Sequence, residues 1–158
     1  MVFLPDFLTF DLSLFMHHLI RMIVAYILAL PIGWERERST HIMGIRTFPL
    51  VSIASCGFIL VGSFIAKGDP EAETRIIQGL MTGLGFIGGG AILKEGHWVR
   101  GTATAVSVWT TGIVGAAVGH GRYEIAILLS IINFVTLSIS KRERDPGRDL
   151  DNEDSDKR

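Results

Sequence analysis

Residues 47–66 read TFPLVSIASCGFILVGSFIA, twenty in a row without a charge. At about 1.5 Å of helical rise per residue, such a run spans about 30 Å, the thickness of a bilayer's hydrocarbon core. Outward from it the pattern recurs on both sides: Leu12–Trp34 before, then Ile76–Leu93, Thr102–Gly119 and Tyr123–Ser140 after. The connectors are short and polar: Glu35–Arg46, Lys67–Arg75, Lys94–Gly101 and Gly119–Arg122. A large buried core in a soluble protein is the competing reading, but soluble helices rarely recur at this length with so few charges. The sequence predicts an all-α polytopic membrane domain over residues 1–140, with five transmembrane helices and the lipid bilayer as its first partner.

Of 31 charged residues, 13 fall in Lys141–Arg158. That segment is too short and too charged to bury a core and reads as a disordered cytoplasmic tail, 141–158. The first 140 residues hold nine acids and nine bases, so the body is neutral as well as apolar. This excludes a nucleic-acid binder built on a basic face, and the single Cys56 excludes a disulfide-stapled domain. No basic residue precedes the first apolar run, which argues against a cleaved signal peptide. Residues 1–11 alternate Phe3, Leu4, Phe7, Leu8 and Phe10 with Asp6 and Asp11, which suits an interfacial segment or a frayed extension. Lys and Arg set the orientation: the first and third connectors and the tail carry eleven, the second and fourth connectors three. The N-terminus is therefore expected outside and the C-terminus in the cytoplasm.

The third run, QGLMTGLGFIGGGAILK, places glycine at 79, 83, 85, 88, 89 and 90. Each glycine costs about 1 kcal/mol of helix propensity against alanine, so six in twelve residues need a reason. Tight helix crossing is one; a backbone-lined or partly unwound ion site is the other. Gly83–Gly88 also matches GxGxxG, but an apolar helix precedes it and Glu95 follows too soon for a dinucleotide fold. In the fourth run Thr104, Ser107 and Thr111 share a helical face, fit for hydrogen bonds between helices or for a polar lining.

Arg21 is the expensive residue. A guanidinium near the bilayer centre costs at least about 2.5–3.5 kcal/mol, so it must face protein or water. Glu73, Glu95 and Glu124 sit at the ends of the runs and no Asp or Glu lies at the depth of Arg21, which leaves backbone carbonyls, the hydroxyls of the fourth run, or Asn133 of the fifth as its partners. Arg21 reads as a structural anchor or as a functional charge, with His17 one turn earlier on its face. The missing carboxylates weigh against a monomeric pump or hard-cation carrier, although carbonyls can line a filter. The five histidines (17, 18, 41, 97, 120) are scattered, and no nucleophile–base set or metal-ligand spacing is legible. The chain is expected to be no enzyme, with no cofactor and no metal site.

In the first connector Glu35, Arg36, Glu37 and Arg38 lie beside the bilayer. They read as a solvated anchor, as a docking surface, or as a divalent-ion site built on Glu35 and Glu37. Arg46 is placed to cap the first helix's carbonyls or to pair with Glu35 or Glu37.

The ordered series Arg21, Gly33-Trp-Glu-Arg-Glu-Arg38, Gly44-Ile-Arg46-Thr47, Leu50-Val51, Gly83-Leu-Gly-Phe-Ile-Gly-Gly-Gly-Ala-Ile-Leu93, Val99-Arg-Gly101 and Trp109 resembles the MgtC/SapB family of bacterial inner-membrane proteins. The resemblance covers about residues 15–125. It implies a five-helix protein tied to magnesium limitation, acid stress and, in pathogens, virulence through survival in phagocytes. It further implies that some members act on another membrane complex, the F-type ATP synthase, rather than carry magnesium. Longer members carry a folded domain after the fifth helix, where this chain has only 141–158. Where the family commonly has G-L-[TN]-T-A-A, this chain has Gly101-Thr-Ala-Thr104-Ala-Val106, so Ala103 replaces one polar residue. The reading favoured is a non-enzymatic regulatory protein of the bacterial inner membrane, dimerising with itself through small-residue faces (Gly79, Gly83, Gly85, Gly88, Gly89, Gly90, Gly101, Thr104 and Trp109 being the packing residues). The competing reading is a small oligomeric channel or transporter for Mg²⁺ or another cation.

Overall fold

A computed structural model describes residues 11–39, 43–95 and 98–142. The expectations for the N-terminal segment 1–10 and for most of the tail lie outside the described residues. Helix α1 (Leu12–Ser39) starts where the Asp11 carboxylate accepts from the Ser13 and Leu14 amides, an N-cap. It does not stop at Trp34 as expected. Glu35–Ser39 continue it because side chains four apart lock the last turns: Arg38 stacks 4.4 Å over the Trp34 ring, and the Ser39 hydroxyl donates to Glu35.

Helix α2 (Thr47–Ala66) ends where Lys67 and Gly68 take positive φ and the Lys67 amide returns to the Ser63 carbonyl. Helix α3 (Pro70–Gly90) begins six residues before the expected Ile76. Asp69 caps it through the Glu71 amide and Pro70 fills its first turn, a start signal in the sequence that outweighs the loss of hydropathy there. The third connector, read as a short polar link, contains a hairpin: β1 (Leu93–Glu95) pairs antiparallel with β2 (Trp98–Arg100), Lys94 opposite Val99. The all-α class holds, this hairpin being the one small sheet among the described residues. Helices α4 (Thr102–Gly119) and α5 (Tyr123–Arg142) complete the chain.

By length and composition α1, α2 and α4 can each cross a membrane, and α5 holds a shorter apolar stretch, Tyr123–Ile139. Helix α3 falls short, because glycine contributes almost no hydropathy and its first turns carry Glu71, Glu73 and Arg75. Helix α4 is the axis of the bundle and packs against all four others, whereas α3 packs chiefly on α2 and α4. Of its most apolar window, 61% is buried against 11% for α1, so α1 turns most of its apolar surface outward. One apolar cluster joins Ala25, Cys56, Val114, Val118 and Ala126; a second joins Ile32, Phe48, Leu84, Val108 and Leu137 nearer the hairpin end.

The closest approaches are on α4. A methyl added at Gly115 would strike the Ser52 backbone, and one at Gly112 would strike the Leu84 side chain. At Gly119 it would lie 2.8 Å from Ile59 Cβ. Gly101 has a positive φ and abuts the Ala91 carbonyl, so it serves the turn into α4 rather than a helix crossing.

Candidate functional site

Two polar layers cross the bundle, one near each end. The hairpin-end layer grows from the last turns of α1. Residues two apart on a helix point about 200° apart, so the Glu-Arg-Glu-Arg series splits between surroundings. Glu35 and Arg36 are buried, Glu37 and Arg38 exposed. The Arg36 guanidinium donates to Thr104 Oγ1 at 3.3 Å, fastening α1 to the first turn of α4. Glu37 turns the other way and accepts from the Ile45 amide at 3.1 Å; its carboxylate occupies the space a side chain at Gly44 would need. Glu35 and Glu37 therefore hold different partners and do not converge on one ion. Gly44 in turn accepts from the amides of Thr47 and Phe48, so Glu37, Gly44 and Thr47 form the start of α2.

One turn deeper, Ser107 and Asn133 meet. The Ser107 hydroxyl donates to the Ala103 carbonyl at 2.8 Å or to Asn133 Oδ1 at 3.1 Å, its single proton serving one at a time. Thr111 bonds back to the Ser107 carbonyl at 2.7 Å. The hydroxyl face of α4 thus divides, with Thr104 serving α1, Ser107 serving α5 and Thr111 serving its own helix. Elsewhere Ser52 donates to the Ala25 carbonyl and Ser130 to the Leu28 carbonyl, two further ties onto α1.

The opposite layer is Arg21. Its Nη1 donates to the Gly119 carbonyl at 2.6 Å, placing a cation on the C-terminal end of α4, where the helix dipole is negative. Backbone carbonyls were one expected partner class. Asn133 is not its neighbour: Asn133 meets α4 at Ser107, twelve residues from Gly119, or about 18 Å along the helix. Arg21, in the first half of α1, meets the C-terminal end of α4, whereas Asn133 meets α4 near its start. His17 is exposed and rests edge-on to His18, with ring centroids 6.3 Å apart.

The glycine run of α3 does not do what its spacing suggests. Only Gly88 meets another helix, a methyl there coming within 3.2 Å of the Ala105 carbonyl. At Gly79, Gly83, Gly85, Gly89 and Gly90 an added methyl meets nothing within 4 Å. Trp109 is also exposed, at 42%. Arg46 neither caps α1 nor pairs with Glu35 or Glu37. It stands exposed at the start of α2, at the mouth of a groove of about 660 Å³ between α2 and α3. Nothing in the sequence marks that groove, because spacing cannot tell on which side of a glycine the neighbour lies.

The chain matches the MgtC family over residues 22–145. It is 36% identical over 117 residues to the uncharacterized protein slr0014 of Synechocystis, covering 74% of this chain and 49% of that one. To the protein named "Putative magnesium transporter YhiD" of Escherichia coli K12 it is 32% identical over 127 residues, covering 77% and 59%. To protein MgtC of Brucella abortus it is 35% identical over 107 residues, covering 68% and 44%. The match therefore spans about half the length of these relatives. No solved structure matches the chain.

Proposed function

The chain belongs to the MgtC family, and from that premise we propose that it is a magnesium-linked, five-span protein of the bacterial inner membrane that regulates rather than transports. Its N-terminus lies outside; Arg36, Arg46, the hairpin and the end of α5 lie on the cytoplasmic side, where Lys and Arg concentrate. Helix α3 and the end of α5, the less apolar elements, cross with the support of α2 and α4. The magnesium link rests on the name of the YhiD relative, and the stress and virulence settings on the resemblance alone.

One observation carries the regulatory reading. Between the Arg21–Gly119 bond and the Ser107–Asn133 pair lies a packed layer of Ala25, Cys56, Val114, Val118 and Ala126, in which the buried hydroxyls of Ser52, Thr111 and Ser130 are already spent on backbone carbonyls. An ion crossing a single chain would have to leave one polar layer, pass this layer unsolvated and regain the other, and desolvating a divalent ion is prohibitive. The polar layers instead fasten helices and hold a charged cytoplasmic face for another membrane complex. The test is purified full chain in liposomes containing a magnesium-sensitive dye. No influx above empty liposomes is expected; saturable influx would establish the competing reading, an oligomeric cation pathway.

A further inference from the structure

The groove between α2 and α3 has a shape and a charge that the polar layers do not use. It runs along α2 from Arg46 to Phe58, twelve residues or about 18 Å, which is close to one leaflet's share of about 30 Å of hydrocarbon. On α3 it has bare backbone at Gly79 and Gly83, where an added methyl would meet no atom within 4 Å, flanked by Leu80, Leu84 and Ile87. Its walls are apolar, with Leu50, Phe58 and Phe86 exposed along it. Arg46 is the one charge among the residues lining it, and its guanidinium has no hydrogen bond or ion pair among the described residues.

We propose that this groove holds an anionic phospholipid of the cytoplasmic leaflet, its phosphate on Arg46 and an acyl chain lying over Gly79 and Gly83. The match is one of charge and length together: a single cation at the interface, then an apolar channel that ends near mid-membrane. The chain's own tail does not fit below Arg46, because 13 of its 18 residues are charged. A second copy packed through the same face of α2 and α3 would bring no carboxylate into the channel, since residues 47–66 and 76–90 contain no Asp or Glu and Glu37 is engaged by the Ile45 amide. The proposal rests on the membrane reading and its orientation, and is independent of whether the protein regulates or transports.

The test is native mass spectrometry of the delipidated full chain in detergent, offered equal phosphatidylglycerol and phosphatidylcholine. Phosphatidylglycerol should be retained about fivefold over phosphatidylcholine, the factor one basic residue at the interface supplies. Arg46→Gln should bring the ratio near one, Arg46→Lys should keep most of it, and Gly83→Leu should lower retention of both lipids by filling the floor. Equal retention of the two lipids by the unaltered chain overturns the proposal, as does a preference that survives Arg46→Gln. A lipid-free dimer that Gly83→Leu splits would assign the groove to a second copy and overturn it too. If Arg46→Gln yields no folded protein, Arg46→Lys and Gly83→Leu still decide. Recovery of the chain from the aqueous fraction without detergent would instead sink the membrane reading itself.

Discussion

Helices α3 and α4 are both glycine-rich, and they spend their glycines in opposite ways. On α4, Gly112, Gly115 and Gly119 each have a neighbour where a side chain would be: Leu84, the Ser52 backbone and Ile59. On α3, five of six glycines in the 79–90 stretch have open space there. Without a hydrophobic force to join helices in lipid, cohesion comes from close backbone approach and hydrogen bonds. Helix α4 supplies both, bound to α1 through Thr104 and Arg21, to α5 through Ser107, and to α2 at Gly115. Helix α3 leans on this core mainly through Leu84 and Gly88. One glycine set builds the protein; the other leaves a surface.

The largest break in that contrast is expected at Gly115. Gly115→Ala puts a carbon into the Ser52 backbone, which no rotamer change can relieve. Overpacking of this kind costs about 1–3 kcal/mol or more, and the propensity gain of alanine, about 1 kcal/mol, offsets only part. Unfolding in mixed detergent should shift to markedly lower denaturant, with Gly115→Leu failing to assemble. A Gly115→Ala protein as stable as the unaltered one would show that α2 and α4 do not touch as described.

Next in size is the cap on α4. Arg21→Leu removes a charge-assisted hydrogen bond to the Gly119 carbonyl, worth about 1.5–3 kcal/mol, while sparing a buried charge. The protein should still insert but unfold earlier and lose its effect on growth in low magnesium. Arg21→Lys, which keeps the charge, should recover part of the stability. Full activity of Arg21→Leu in that growth assay would make the guanidinium a packing device only.

How much of this was legible follows the same division. The long apolar runs give the number and order of helices because hydropathy is a local property; α2 and α4 even end at their expected residues. The α4 hydroxyl face was legible from spacing, since Thr104, Ser107 and Thr111 share one side of a helix. The choice of partner was not, and Arg21 found Gly119 while Asn133 found Ser107. Charge misled at Glu35–Ser39, where four charged residues in a row read as a connector although Trp34–Arg38 and Glu35–Ser39 contacts continue the helix. The packing role went to the α3 glycines because they are the denser set. Density reports how close a neighbour could come, and only the fold reports whether one does.

The smallest effect sharpens the contrast most. Gly83→Ala adds a methyl that meets nothing within 4 Å and removes a backbone liability worth up to about 1 kcal/mol in a helix. Its stability in detergent should be unchanged or slightly raised, the reverse sign to Gly115→Ala for the same chemical change. The two substitutions differ only in what lies across from the added carbon, so their difference in stability isolates tertiary contact from helix propensity. If Gly83→Ala destabilises as Gly115→Ala does, then α3 is already pressed against a partner, and the open face of its glycine run is occupied in the assembled protein.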